Sequence, residues 1–457
     1  MKYEDFLSGK TQSENVYGFK PVWTPDFLFD FQKALVEWAL RKGRAAIFAD
    51  CGLGKTPMQL VWAENVVRKE NKPVLILTPL SVGAQTKRES DKFGIDAAQS
   101  HDGKLASKIV ITNYEKIHLF NPQDFIGVVC DESSILKNFN GERKASITEF
   151  MRTRPYRLLC TATAAPNDFI ELGTSAEALS EMGFMDMLAR YFKELDDQDK
   201  HKHTRAQQFR AGKWRFRGHS ENDFWRWVCS WARALRKPSD CGFDDGKFTL
   251  PELTTAQHTI KAKTPRAGLL FDLPAISLEE QREERRRSLP ERCEKAAALA
   301  IAHKGPSVLW CHMNDEGNTL EKLITNSVQV SGADCAEAQE DKFSAFASGK
   351  VLKLITKPKI GGFGHNWQHC AHQTVFPSHS FEQYYQAVRR SWRFGQINPV
   401  HVDVITSEGE SEILKSIQRK TAQAEIMFER LVKLMGKELK VRVDKSYTKT
   451  EDVPTWL

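Results

Sequence analysis

The stretch Arg44–Leu60 reads RAAIFADCGLGKTPMQL. A short apolar run, Ala45–Ala49, ends abruptly in glycines, a lysine and a threonine, and a helical stretch follows. Strand, glycine loop and helix in that order form the setting in which a loop cradles phosphate. Ala49-x-x-x-x-Gly54-Lys55-Thr56 fits the phosphate-loop pattern, with Ala in the first place instead of Gly. Gly52 and Gly54 let backbone N–H groups curl around an anion without Cβ clashes. The helix that follows adds the partial positive charge of its N-terminus. Lys55 is placed to reach the β/γ-phosphates and Thr56 to offer its hydroxyl to Mg²⁺. The expected ligands are ATP and Mg²⁺.

Downstream, FIGVVCDESSILKN sets Asp131 and Glu132 at the end of another apolar run. Carboxylates leaving a buried parallel strand sit in the crevice where nucleotide sites form. Asp131 is expected to hold Mg²⁺, and Glu132 to orient and deprotonate the attacking water.

Two sets of short apolar runs alternate with helical stretches. The first is Ala45–Ala49, Val74–Thr78, Ile109–Thr112, Val128–Cys130 and Leu158–Thr161. The second is Ser307–Cys311, Val328–Val330, Leu352–Thr356, Thr374–Phe376 and Val402–Ile405. Such runs read as buried parallel strands, so two α/β lobes are expected. Four segments are expected: a nucleotide-binding lobe over 1–185, a basic tryptophan-rich insertion over 186–255, a charged helical linker over 256–290, and a second lobe with C-terminal helices over 291–457.

The chain has 457 residues, 27% of them charged, and a net charge of +7. That surplus is concentrated. Lys200–Lys237 holds eleven Lys/Arg against Glu221 and Asp223, or about +9. In ENDFWRWVCSWARALRK, Phe224, Val228, Trp231 and Leu235 share one helical face, while Arg226, Arg233 and Lys237 fall opposite. Just before it, Lys213, Arg215 and Arg217 interleave with Trp214 and Phe216, a pattern suited to phosphate contact and base stacking. The scattered cysteines fit a reducing compartment. MKYEDFLSGKTQSE has no apolar leader, and no apolar run is long enough to cross a membrane, so a cytoplasmic protein is expected, in the host cytoplasm if phage-encoded. His365, His369, Cys370 and His372 cluster in GHNWQHCAHQ, but zinc is the weaker reading there.

The motifs, in order, resemble those of superfamily 2 helicases, closest to the Swi/Snf-type DNA-translocating motors. FDFQKALVEWAL looks like the glutamine motif, with Gln32 in the adenine-reading place. ADCGLGKT is similar to motif I, CDESSILKN to motif II and LLCTATAAPND to motif III. LILTPLSVGAQTKRE resembles motif Ia, which puts Thr78 toward the nucleic-acid backbone. LITKPKIGGFGHNW resembles motif V, which places Gly362 at the nucleotide, and QAVRRSWRFGQ resembles motif VI, with Gln386, Arg390 and Arg393 on the family's functional positions. The resemblance implies two RecA-like lobes with ATP between them, arginine fingers from the second lobe, and a monomer acting on duplex or branched DNA. Ser133 and Ser134 depart from the family's Ala and His, and Arg389 from its Gly. An RNA helicase, or a nucleotide-gated scaffold without turnover, are the alternative readings.

Overall fold

In the computed structural model of the chain, which describes residues 17–137, 141–194, 214–263, 278–362 and 364–444, the apolar runs become two parallel sheets. The first contains β1 (Arg44–Ala49), β2 (Val74–Thr78), β3 (Ala97–Gln99), β4 (Ile109–Asn113), β5 (Gly127–Asp131), β6 (Tyr156–Cys160) and, beyond a small hairpin of β7 (Phe192–Glu194) and β8 (Trp214–Phe216), β9 (Ala232–Leu235). Its order is β3-β4-β2-β5-β6-β1-β9. The second contains β10 (Leu253–Ile260), β11 (Ser307–Trp310), β12 (Ser327–Val330), β13 (Lys353–Thr356), β14 (His372–Val375) and β15 (Val400–Ser407), in the order β10-β15-β14-β11-β13-β12. The fold is α/β with two RecA-like lobes.

Alternation of side chains explains why each sheet is buried on both faces. In β1, Ala46 and Phe48 enter one core, while Ala45, Ile47 and Ala49 enter the other. In β2, Leu75 and Leu77 part from Val74 and Ile76 in the same way. A strand with apolar residues at every position has no solvent face, so helices must cover both sides.

Five helices bear on the site: α1 (Asp30–Lys42), α2 (Lys55–Glu70), α3 (Ser220–Trp231), α4 (Phe381–Val388) and α5 (Ser411–Asp444). Where C-terminal helices are expected, the described tail forms the single 34-residue α5. It starts against the second lobe, where Ile413 and Ile417 meet Phe381. It then crosses to the first lobe, where Met427, Phe428, Leu431 and Met435 are buried with Phe224, Trp225 and Trp231. One helix therefore fastens both lobes.

The basic segment folds differently from the helical projection in several respects. The apolar face is buried as expected at Phe224, Val228 and Trp231, but α3 ends there and Leu235 lies in β9. Ending the helix at Trp231 turns Arg233 inward. It is 8% exposed, donates to the carbonyls of Cys229 and Ala232, and lies 4.4 Å over the Trp38 ring. Arg233 is therefore not part of an outer basic stripe. Phe216 stacks on Phe192 at 4.6 Å and packs on the first lobe's core, as does Trp214, so these rings are occupied by packing. Arg217 donates to the carbonyl of Phe192 at 2.6 Å. Arg215 and Arg226 are exposed, and Arg226 stands 3.5 Å from Asp223. Lys213 and Asn138 lie outside the described residues. Among the described residues no helix is long and apolar enough to cross a membrane.

Candidate nucleotide site between the lobes

The loop after β1 owes its course to two glycines in the left-handed region, Gly52 at φ 90° and Gly54 at φ 77°. Gly54 also leaves room for Gln32 of α1, since a Cβ there would lie 2.3 Å from Gln32 Nε2. Gln32 uses that space to brace the loop. Its Nε2 donates to the Leu53 carbonyl at 2.9 Å, and its Oε1 accepts from the Phe29 N–H at 3.0 Å. Lys55 opens α2 and donates to the Ala49 carbonyl at 3.1 Å. Thr56 follows it at the helix N-terminus.

Asp131 ends β5 and is buried, with Oδ1 accepting from Gln59 Nε2 at 2.6 Å. Glu132 follows at φ 49°, a conformation that costs a non-glycine residue on the order of 1 kcal/mol. Held there, its Oε2 accepts from Thr161 Oγ1 at 3.2 Å, linking motif II to motif III. Burial raises both carboxyls above their ordinary range, while the charge of Lys55 pulls both back down.

The second lobe closes the cleft with α4 and the turn after it. Gln386 Nε2 lies 3.5 Å from Glu132 Oε2. Arg390 is held through Nη2 to Gln386 Oε1 at 3.0 Å and through Nη1 to the His365 carbonyl at 3.1 Å. Arg393 Nη1 reaches the same carbonyl at 3.4 Å, and its buried Nε has no hydrogen-bond partner. A Cβ on Gly52 would lie 2.9 Å from the Phe394 nitrogen, so the second lobe sits directly over the glycine loop.

These parts line one cavity of about 450 Å³. Gln32, Gly52, Gly54, Lys55, Thr56, Asp131 and Glu132 come from one side, and Arg390 and Arg393 from the other. Gln386 does not line the cavity but holds Arg390. Two predicted residues lie elsewhere. Gly362 is buried against the Pro358 carbonyl and does not line the cavity, whereas Gly364, Asn366 and Gln368 do. Thr78 is fully buried, with Oγ1 3.4 Å from the Thr112 carbonyl, while Leu80 and Ser81 beyond it reach a second inter-lobe groove of about 1000 Å³.

Sequence reasoning also missed an ion pair across the lobes. Arg389 binds Asp50, and Tyr385 donates to the same carboxylate. The signal was the arginine in place of Gly, with an acid inside the glycine loop. The aromatic lining from Phe29, Phe248 and Phe394 was likewise unforeseen, and Phe248 stacks on Phe394 at 4.6 Å.

The donors suit a triphosphate: backbone N–H groups with Lys55 and Lys92 on one wall, two guanidinium groups on the other. Thr56 and Asp131 suit Mg²⁺, which takes one or two protein oxygens and completes its shell with phosphate and water.

Burial of two histidines makes the fold sensitive to pH. It pushes His365, which is also beside Arg390 and Arg88, and His312 down to about 4. Their unfolded value is 6.5, so protons favour the unfolded chain between the two values. The contribution of these two rings is therefore full above pH 6.5 and declines as pH falls toward 4. Urea unfolding at pH 5.0 should show a loss of about 1–2 kcal/mol per ring relative to pH 7.5. His312→Asn should flatten that dependence, and an unchanged slope would exclude His312 as its source.

No protein-family model matches the chain. A curated human protein, the DNA annealing helicase and endonuclease ZRANB3, is 27% identical over 192 residues, 38% of this chain and 18% of its own length. This chain thus matches less than a fifth of that relative. A solved SWI2/SNF2 ATPase core in complex with double-stranded DNA, from Sulfolobus solfataricus, aligns over 92% of this chain and 96% of its own, at 16% identity and a TM-score of 0.42. By its ordered motifs and its match to a curated helicase, the chain resembles the Swi/Snf-like helicases of superfamily 2.

Proposed function

We propose that the chain is an ATP-dependent DNA translocase or helicase that couples ATP hydrolysis to movement along, or remodelling of, duplex or branched DNA, and that it acts as a monomer. The observation that carries this reading is the single cavity bringing Lys55, Thr56, Asp131 and Glu132 together with Arg390 and Arg393 of the other lobe. Lys55 and the loop N–H groups hold the β/γ-phosphates, Gln32 reads the base, and Glu132 takes a proton from the attacking water. Thr56 and Asp131 would hold Mg²⁺, which would supply charge neutralisation at the phosphates. Arg390 and Arg393 offset the same charge from the opposite wall. Because one wall belongs to each lobe, hydrolysis and product release change how strongly the lobes are drawn together.

The nucleic acid in this reading lies in the second groove, whose lining includes Leu80, Ser81, Lys137, Arg143, Lys144 and Lys359 alongside five glutamates. The curated relative's name also speaks of DNA. Measuring ATPase stimulation by duplex, single-stranded and forked DNA and by RNA tests the proposal. Stimulation by duplex or forked DNA is expected. Stimulation by RNA alone would establish the RNA helicase, and none by any polymer the scaffold.

The exposed arginines Arg215 and Arg226 extend the proposed DNA contacts. Replacing both with Ala should weaken binding to every sequence alike. It should also reduce the slope of log K against log[salt] by roughly 1 for each phosphate that is no longer neutralised. An unchanged salt slope would remove this segment from the interface.

A further inference from the structure

The acidic-pair loop departs from the family at Ser133 and Ser134, and the structure shows what meets those residues. Ser134 is 3% exposed, and its Oγ donates to Glu382 Oε1 of the second lobe at 2.6 Å. Lys137, three residues on, donates to the other carboxylate oxygen of Glu382. Glu382 has a side chain only 12% exposed and sits in the first turn of α4, which Ser380 caps by accepting the Gln383 N–H. A carboxylate is favoured at that end of a helix. This position would be satisfied by solvent alone, yet both oxygens are spent on the loop of the other lobe.

Glu382, Gln386 and Arg390 recur every four residues, so they share one edge of α4 and its following turn. Along that edge Glu382 meets Ser134 and Lys137, Gln386 meets Glu132, and Arg390 meets Gln386. The row therefore runs parallel to the segment that carries Glu132. Moving the second lobe as a body moves both inter-lobe contacts, that of Glu382 and that of Gln386, together, while Arg390 stays fixed to Gln386.

We propose that Glu382 is a positioning residue for ATP hydrolysis: through Ser134 and Lys137 it registers the acidic-pair loop against the second lobe, so that lobe closure sets the place of Glu132. This rests on the reading of the inter-lobe cavity as an ATPase site. The contact also faces the large groove, whose lining includes Lys137, Glu382 and Ser134 as well as Lys359 and Arg143. Both members of the Lys137–Glu382 pair line that groove, so a polyanion bound there would lie within reach of them. The pair thus connects what fills the groove with the geometry at Glu132.

The test uses the full chain with Glu382→Gln, Glu382→Asp, Ser134→Ala and the Glu382→Gln/Ser134→Ala double variant. Glu382→Gln should lower kcat at saturating duplex DNA by roughly tenfold or more and leave KM for ATP within about threefold, because the group acts on chemistry rather than on nucleotide binding. Glu382→Asp should recover part of the loss. Ser134→Ala should resemble Glu382→Gln, and the double variant should be little worse than either, since the two act as one contact. A purely structural pair would lower thermal stability with no selective loss of kcat or of DNA stimulation.

Amide hydrogen exchange without nucleotide supplies an arm independent of turnover. The Ser133–Lys137 segment should exchange at least about threefold faster in Glu382→Gln than in the wild type, with the β1 and β5 amides unchanged. Unaltered exchange, or faster exchange with kcat and DNA stimulation at wild-type levels, overturns the proposal. A wild-type chain that hydrolyses no ATP ends the ATPase reading and this role with it. Faster exchange would then still show the contact to be real, which separates that failure from a misplaced contact.

Discussion

Replacing Glu132 by Gln should leave ATP bound and DNA bound while hydrolysis falls by roughly 10²–10⁴-fold, the usual contribution of a positioned general base. The substitution isolates one property. Gln has the size of Glu, so the Thr161 contact at 3.2 Å and the closeness of Gln386 can persist. The left-handed backbone at φ 49° strains either residue alike. What disappears is the ability to accept a proton. Burial already raises the Glu132 carboxyl, so a neutral amide there should not lower the melting temperature. Binding of a fluorescent ATP analogue, measured beside single-turnover hydrolysis, separates the two effects. Retention of more than about a tenth of wild-type turnover would remove Glu132 as the base. Loss of nucleotide binding would show that the substitution had disturbed the loop instead.

The residues that were readable in advance are those whose role is local. The first-lobe strands β1, β2, β4, β5 and β6 were visible because parallel strands buried on both faces become unbroken apolar runs. The glycine loop was visible because strand, glycines, lysine and helix are contiguous. Other strands were hidden for physical reasons. β10 alternates along LTTAQHTI with one side half-exposed, as an edge strand does, and so lacks an apolar run. β9 contains Arg233, whose charge is absorbed by the carbonyls of Cys229 and Ala232 and by the Trp38 ring, none of which a helical projection can foresee. Motif alignment placed Gly362 at the nucleotide, but the Pro358–Gly361 turn tucks it away and presents Gly364. The contacts across the lobes were the least visible. Asp50 with Arg389, and Ser134 with Glu382, lie 339 and 248 residues apart, and only the docking of α4 brings them together.

Arg390→Ala should be the more severe change, with hydrolysis reduced by roughly 10³–10⁵-fold as for other arginine groups that neutralise a transferring phosphoryl. Its geometry explains why no neighbour replaces it. Arg390 is 6% exposed and fixed by Gln386 Oε1, the Gln386 carbonyl and the His365 carbonyl, so its fork is held in place by the protein alone. The same three contacts mean that Ala would also leave acceptors unpaired, and a loss of stability could imitate a loss of catalysis. Arg390→Lys separates the two. Lysine keeps the charge but lacks the planar fork, so it should hold the fold closer to wild type while recovering only a small part of the rate. Arg393 provides the comparison. It makes a single contact to the His365 carbonyl at 3.4 Å, and burial together with Arg390 lowers its pKa to about 10. Arg393→Ala should therefore cost less stability than Arg390→Ala yet still reduce hydrolysis strongly. If both arginines neutralise the same developing charge, the double variant should be little worse than Arg390→Ala alone. A double variant whose loss equals the product of the single losses would show two independent roles. An Arg390→Ala chain that folds, binds ATP and hydrolyses it at wild-type rate would show that the second lobe contributes no charge to the reaction.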